Sequence, residues 1–110
     1  MLPLGSPYVV NTERRGDQSG PRIASAPGGQ LVVWTSMSQD GSREGVYGRW
    51  LNDGAVSSSE FRVNTTTFLR QFMPAVAADS SNRALVIWSS YQGDGDSGFD
   101  LFGQRYIAAP

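Results

Sequence analysis

The sequence predicts an all-β chain made of two copies of one four-stranded antiparallel unit, and three observations carry that expectation. First, the stretch 30–48, QLVVWTSMSQDGSREGVYG, returns in degenerate form as 83–103, RALVIWSSYQGDGDSGFDLFG. In both copies an apolar run ends in Trp34 or Trp88, a Ser-rich Asp-Gly turn follows, and an aromatic-Gly pair (Tyr47-Gly48; Phe102-Gly103) opens the next apolar segment. Second, further anchors recur at a spacing of 53: YVVNT at 8–12 against FRVNT at 61–65, Gln18 against Gln71, Pro21 against Pro74, and Ile23-Ala24 against Val76-Ala77. The offset grows to 54 at Trp34/Trp88 and to 55 at Gly48/Gly103, so the small insertions fall in turns, where a loop absorbs them. Third, no stretch carries a helical period, whereas β-branched and aromatic runs alternate with Gly, Pro and Asp-Gly punctuation.

Taken in order, residues 1–7 form an N-terminal extension and residues 8–12 a short strand. Strands are then expected near 22–26, 31–36, 45–51 and 60–65, separated by Pro27-Gly28-Gly29, Asp40-Gly41 and Asn52-Asp53-Gly54. The run Leu31-Val32-Val33-Trp34 is continuously apolar, so protein covers both faces of that strand. Radially stacked sheets produce that situation, which makes each unit a four-stranded β-propeller blade with strands a to d. Residues 8–59 hold one outer strand d followed by strands a, b and c of blade 1. Residues 60–110 hold the outer strand of blade 1 followed by strands a, b and c of blade 2. The second blade is left without its outer strand, and an open edge of unpaired backbone groups invites a partner strand. Residues 8–12 of a neighbouring chain are expected to supply it. Two blades fall short of a ring of about four to eight, so a homo-oligomer is expected, with a six-bladed trimer preferred to a tetramer or dimer.

At 110 residues the chain has room for one ordinary domain. Its net charge is -1, with nine Arg against ten Asp and Glu, and it has no Lys, His or Cys. That balance offers no basic stripe for nucleic acid or anionic membrane. Without Cys and His the usual zinc and thiolate sites lack their ligands, and Ser-His-Asp, Cys-His and lysine Schiff-base catalysis each lose a member. Carboxylate, Tyr and Arg chemistry remains. The N-terminus shows neither a basic n-region nor an apolar run of signal-peptide length, and no segment approaches a membrane span, so the polypeptide as given reads as soluble.

Among candidate sites, Asp94, Asp96 and Asp100 have a D-x-D-x-x-x-D spacing that could wrap oxygen ligands around calcium, against the reading of a solvated acidic turn. The full calcium loop with its terminal Glu is absent, and the first copy keeps only Asp40 and Glu44 nearby. Asp40-Gly41 and Asp94-Gly95 read first as turn chemistry, and Trp34 and Trp88 as core between blades. Arg49-Trp50 is matched by Arg105-Tyr106. An aromatic ring beside an Arg fork holds sugars by stacking on C–H faces and bonding hydroxyls; the alternative is packing between blades. Tyr91 and Phe99, flanking the turn between strands b and c, are further candidates for an exposed rim, and Tyr91 and Glu44 join the candidate ligand-binding residues. Phe68 and Phe72 have no apolar counterparts in the first copy, which suggests a local contact. A carboxylate-pair hydrolase is disfavoured because the acids lie almost entirely in turns, so no enzyme activity is expected.

The combined pattern VNT…Q…P-(I/V)-A…(L/V)-V-(V/I)-W-(T/S)-S…D-G…(Y/F)-G resembles the propeller-type repeats of large bacterial surface and secreted proteins, and covers nearly the whole chain after Ser6. The resemblance implies an extracellular or cell-surface home and says nearly nothing about ligand, because propellers host unrelated functions. Ser38-Gln39-Asp40-Gly41-Ser42 faintly resembles the Asp-box turns of sialidase-type propellers, but Gly follows Asp at once and no Trp closes the box. In plan, a two-blade chain that trimerises is similar to small bacterial and fungal lectins. Carbohydrate binding is the implied function, with a structural, self-assembling module as the alternative and a glycosidase-type propeller behind both.

Overall fold

Period-two alternation and turn chemistry make this chain fold into strands, and every regular element among the described residues is a strand. The structure, a computed structural model, describes residues 2–13, 16–37, 44–64, 70–91 and 99–108. In chain order the strands are β1 (Gln18–Ala26), β2 (Gly29–Met37), β3 (Glu44–Asn52), β4 (Ala55–Val56), β5 (Phe61–Arg62), β6 (Gln71–Ala78), β7 (Arg83–Tyr91) and β8 (Phe99–Ile107). They form two antiparallel sheets: β1-β2-β3-β4 with β5 also on β3, and β6-β7-β8.

The expected outer strand of the first unit forms, although its ladder is only two residues long: Arg62 pairs with Tyr47 and Phe61 with Gly48. The chain then stays beside β3. The Val63 N–H donates to the Val46 carbonyl at 2.7 Å, and the buried Asn64 side chain takes over from backbone, its Oδ1 accepting the Val46 N–H at 2.8 Å. Strand β4 is an addition to the expected set. Asp53 and Gly54, at φ 50° and 78°, provide the two left-handed residues of a tight hairpin, which brings Ala55 back against Asn52.

β1 and β6 begin earlier than expected because each contains a bulge. The ladder slips between Ser19 and Arg22 in β1, and between Phe72 and Ala75 in β6. Pro21 and Pro74, which have no N–H to offer the ladder, lie inside these slips, and each follows a left-handed residue, Gly20 at φ 65° and Met73 at φ 58°. The residue before each bulge has a fixed task. Gln18 Oε1 accepts the Trp34 indole N–H at 3.2 Å, and Gln71 Oε1 accepts that of Trp88 at 3.0 Å. The matched Gln and Pro anchors are thereby explained as one repeated device that lets a buried Trp keep its hydrogen bond.

Residues 8–12 do not form the expected strand within their own chain. They lie across the first sheet, where Arg49 Nη1 donates to the Val10 carbonyl at 2.9 Å and to Thr12 Oγ1 at 3.1 Å. The Thr12 N–H donates to Glu60 Oε1 at 2.7 Å.

The core follows from the ladder register. Leu31, Val33, Val46 and Trp50 point from one face of the first sheet onto Val76, Ala84, Val86, Trp88 and Tyr106 of the second. Val32, Trp34, Tyr47 and Leu51 point the other way and are met by Val10. All four residues from Leu31 to Trp34 are buried, each contributing roughly 1.5–3 kcal/mol. That is the two-sided burial which the unbroken apolar run calls for. The second sheet is covered on one face only: Leu85 and Ile87 on its outward side remain 42% and 40% exposed.

Candidate functional site

Two ends of the molecule carry the polar side chains that the sequence singled out. At one end, Glu44 begins β3 and is buried, and Arg70 grips its carboxylate with two nitrogens, Nε at 2.5 Å and Nη2 at 3.3 Å. The guanidinium lies 4.4 Å from the centre of the Phe72 ring, and the Glu44 hydrogen bond raises its already high pKa. The Arg70 carbonyl accepts the Tyr91 N–H at 2.9 Å, tying the end of β7 into the same cluster. Glu44 is therefore one half of an ion pair that joins the two sheets, Tyr91 lies beside it, and the unmatched Phe72 is the ring on which that Arg rests.

At the other end, β6, β7 and β8 leave an open groove of 740 Å³ whose lining includes Asp79, Arg83, Gln104, Arg105, Tyr106 and Ile107. It is built from the β6–β7 turn. Asp79 Oδ1 accepts the N–H groups of Ser81 at 2.9 Å and Arg83 at 3.1 Å, while its Oδ2 accepts from Arg83 Nε at 2.9 Å. The backbone bonds from Arg83 and then Ser81 hold the Asp79 carboxyl below the ordinary value. Gln104 Nε2 donates to the Arg105 carbonyl at 3.2 Å, and the Arg105 side chain is exposed. Tyr106 is half-buried, its ring tilted against Phe61 at 5.4 Å between centroids, and burial pushes its phenol pKa up.

The ladder corrects the matching of Arg49-Trp50 with Arg105-Tyr106. Arg49 pairs with Val32 and Trp50 with Leu31, whereas Val86 and Leu85, the counterparts of Val32 and Leu31, pair with Gln104 and Arg105. Trp50 thus corresponds to Arg105, and Tyr106 corresponds to Leu51. A slip of one residue in a strand exchanges faces. Trp50 and Tyr106 both enter the core between the sheets, but from opposite sides of it. Nor do the members of each pair share a face, since neighbours along a strand point to opposite sides. Arg49 turns to residues 10 and 12, and its Nε also donates to the Ser58 carbonyl at 2.7 Å. Along the strands, six residues separate Glu44 from Trp50, and six separate Tyr91 from Leu85, the partner of Arg105; each span is about 20 Å. The six candidate ligand residues therefore do not make one site.

Asp94 and Asp96 lie outside the described residues, as do Asp40, Gly41 and Phe68. Asp100 is exposed on β8 opposite Ser90, and among the described residues no three acidic side chains are grouped so that they could hold a metal. Asp79, Arg83 and Gln104 had not been singled out. Asp79-Ser80-Ser81-Asn82 reads as an ordinary turn, and only its Asx-type bonding to two backbone N–H groups shapes it into a groove wall. Comparison with known proteins finds no matching family model, curated relative or solved structure.

Proposed function

We propose that the chain is the subunit of an oligomeric β-propeller that acts as a non-catalytic binding module, with carbohydrate as its ligand class. The observation that carries this reading is the groove at the Arg105 end. Arg105 and the 71% exposed Ile107 border it on the outward side of β8 with Leu85, and Gln104 and the half-buried Tyr106 line it from the other side. Planar donors and apolar surface thus meet in one groove, the mixture that a sugar's hydroxyls and C–H faces require. Among the described residues Asp79 is the one carboxylate lining this groove, and it is committed to backbone groups and Arg83, so a two-carboxylate hydrolysis finds no second partner among them. A shallow groove of this kind binds weakly by itself. Repeated around a ring of three chains and six blades, it gains from multivalency, an avidity increase on the order of 10² to 10⁴. The resemblance to surface and secreted repeats favours a ligand outside the cell.

A glycan array probed with the purified protein tests this. Binding to a defined sugar class, lost in a Gln104→Ala/Arg105→Ala double variant whose circular dichroism is unchanged, is the expected result. Absence of binding to every sugar contradicts it and leaves a second reading, a self-assembling propeller module with no small-molecule ligand. That reading is favoured by the packing of Trp50 and Tyr106, whose rings serve the contact between the sheets.

A further inference from the structure

We infer that the bare outward face of the second sheet, centred on Ile87, Gly103 and Leu101 and ending at the Arg105 groove, is a docking surface for the Val32–Trp34 face of the first sheet of a second copy of this chain, and that residues 8–12 are a displaceable cover over that face. The inference rests on the oligomeric part of the proposed function and specifies which surfaces meet.

The contact already present inside one chain supplies the argument. Leu31 and Val33 of β2 are fully buried, and they pack on a face formed by Ala84, Val86 and Trp88. Their repeat counterparts, Leu85 and Ile87, occupy the same side of the second sheet and are 42% and 40% exposed, with Leu101 beside them at 75%. The ladder sets Ala75, Ile87 and Gly103 in one row, apolar across three strands, and Ala77, Leu85 and Arg105 in the next, where Arg105 ends the apolar surface and borders the groove. The surface known to fit such a face is a Val-x-Trp face. The chain holds two of them, one buried between its sheets and the other made of Val32 and Trp34. A contact of unlike faces is heterologous and propagates from copy to copy until a rotation closes it into a ring.

In a single chain the Val32–Trp34 face is covered by residues 8–12, and the cover fits loosely. Val10 is the hydrophobe packed on it, while Tyr8 and Val9 stay 53% and 50% exposed. A cleft of 400 Å³ opens where Tyr8 to Asn11 meet Gln18, Pro21 and Trp34. Once displaced, the segment has a second place prepared for it. YVVNT matches the residues that run beside β3, where Asn64 Oδ1 accepts the Val46 N–H. By ladder correspondence Leu101 takes the place of Val46, so Asn11 of the neighbouring copy accepts from the Leu101 N–H. Docking the face and releasing the cover are then one event: the segment leaves the surface that the neighbour needs and pairs with the open side of β8.

Light scattering on size-exclusion eluates of three proteins tests the inference: the wild type, Gly103→Arg and Ile87→Arg. A Cβ on Gly103 meets its nearest atoms, Leu85 Cδ1 and the Val86 carbonyl, at 3.6 Å, an ordinary contact, so that variant folds and places a charge in the middle of the face. The expected result is a wild-type mass that is a multiple of 11.9 kDa, and a single-chain mass for both variants with unchanged circular dichroism, the dissociation constant rising at least a hundredfold. If the variants keep the wild-type mass, the docking surface is wrong while the oligomeric reading stands. If the wild type itself is a single chain, both fall.

Discussion

The two sheets carry nearly the same strand pattern and meet opposite fates. In the first, Leu31, Val32, Val33 and Trp34 are all buried; in the second, Val86 and Trp88 are buried while Leu85 and Ile87 remain two-fifths exposed. The residues barely differ, so the difference lies in their neighbours. One sheet has a partner on each side, and the other has a partner on one. Burial here is a property of position in a stack, and a repeat can present at its end the same surface that it hides in its middle.

Matched substitutions in the two sheets test that comparison, and the largest effect is expected in the hidden row. Val33→Asp places a carboxylate where exposure is 0% and is expected to cost about 4 kcal/mol or more, enough to unfold a small domain. The matched Ile87→Asp is expected to cost under about 1 kcal/mol in dilute protein, because its side chain reaches water. Urea titration followed by Trp fluorescence reads both; equal losses would mean that the two faces are equally buried.

A smaller difference separates the two Trp–Gln pairs. Gln71 is 1% exposed and Gln18 is half-buried. Gln71→Leu strands the Trp88 indole N–H away from water and is expected to cost about 1–3 kcal/mol, whereas Gln18→Leu lets water substitute and costs less. The order of urea midpoints checks this, and a reversed order would contradict it.

The bulges offer a gain in place of a loss. Met73 adopts the left-handed conformation that its counterpart Gly20 adopts at no steric cost. Met73→Gly is expected to stabilise by about 1 kcal/mol, and Gly20→Met to destabilise by about 1–2 kcal/mol. Thermal melts of the pair would show shifts of opposite sign.

The smallest effect concerns acid. The Asp79 carboxyl is held below 3.8 by backbone N–H groups of Arg83 and Ser81. Because the folded value is the lower one, its contribution to stability is fully present above the unfolded pKa and is lost as pH falls through the folded value. Carboxyl carbon shifts followed by NMR should place its midpoint below 3.8; a midpoint at or above that value would contradict the bonding seen at the β6–β7 turn.

Much of this fold was legible because spacing in the sequence is spacing in the ladder. The unbroken Leu31–Trp34 run announced a strand covered on both faces, and the repeated Gln and Pro marked the repeat, although the bulge and the Trp hydrogen bond they serve appear only in the ladder. The outer strand at 61–62 was legible for the same reason. The failures came where tertiary choice outweighs local pattern. YVVNT is a strand in composition, yet within its own chain it finds the Val32–Trp34 face instead of a free edge. Arg49-Trp50 and Arg105-Tyr106 look alike as dipeptides, and the one-residue offset that reverses their faces appears only when strand partners are counted. The groove at Asp79 was invisible because its walls come from a turn whose residues are ordinary.

The central claim, that the second sheet's open side belongs to a second copy, is most directly tested by amide exchange at Leu101. Its counterpart Val46 donates to Asn64 beside β3, and in the proposed assembly Leu101 donates to Asn11 of another chain. Measured by NMR over a hundredfold range of protein concentration, its protection is predicted to rise at least tenfold as copies associate. A Leu101 amide that exchanges at the same fast rate throughout would contradict the account.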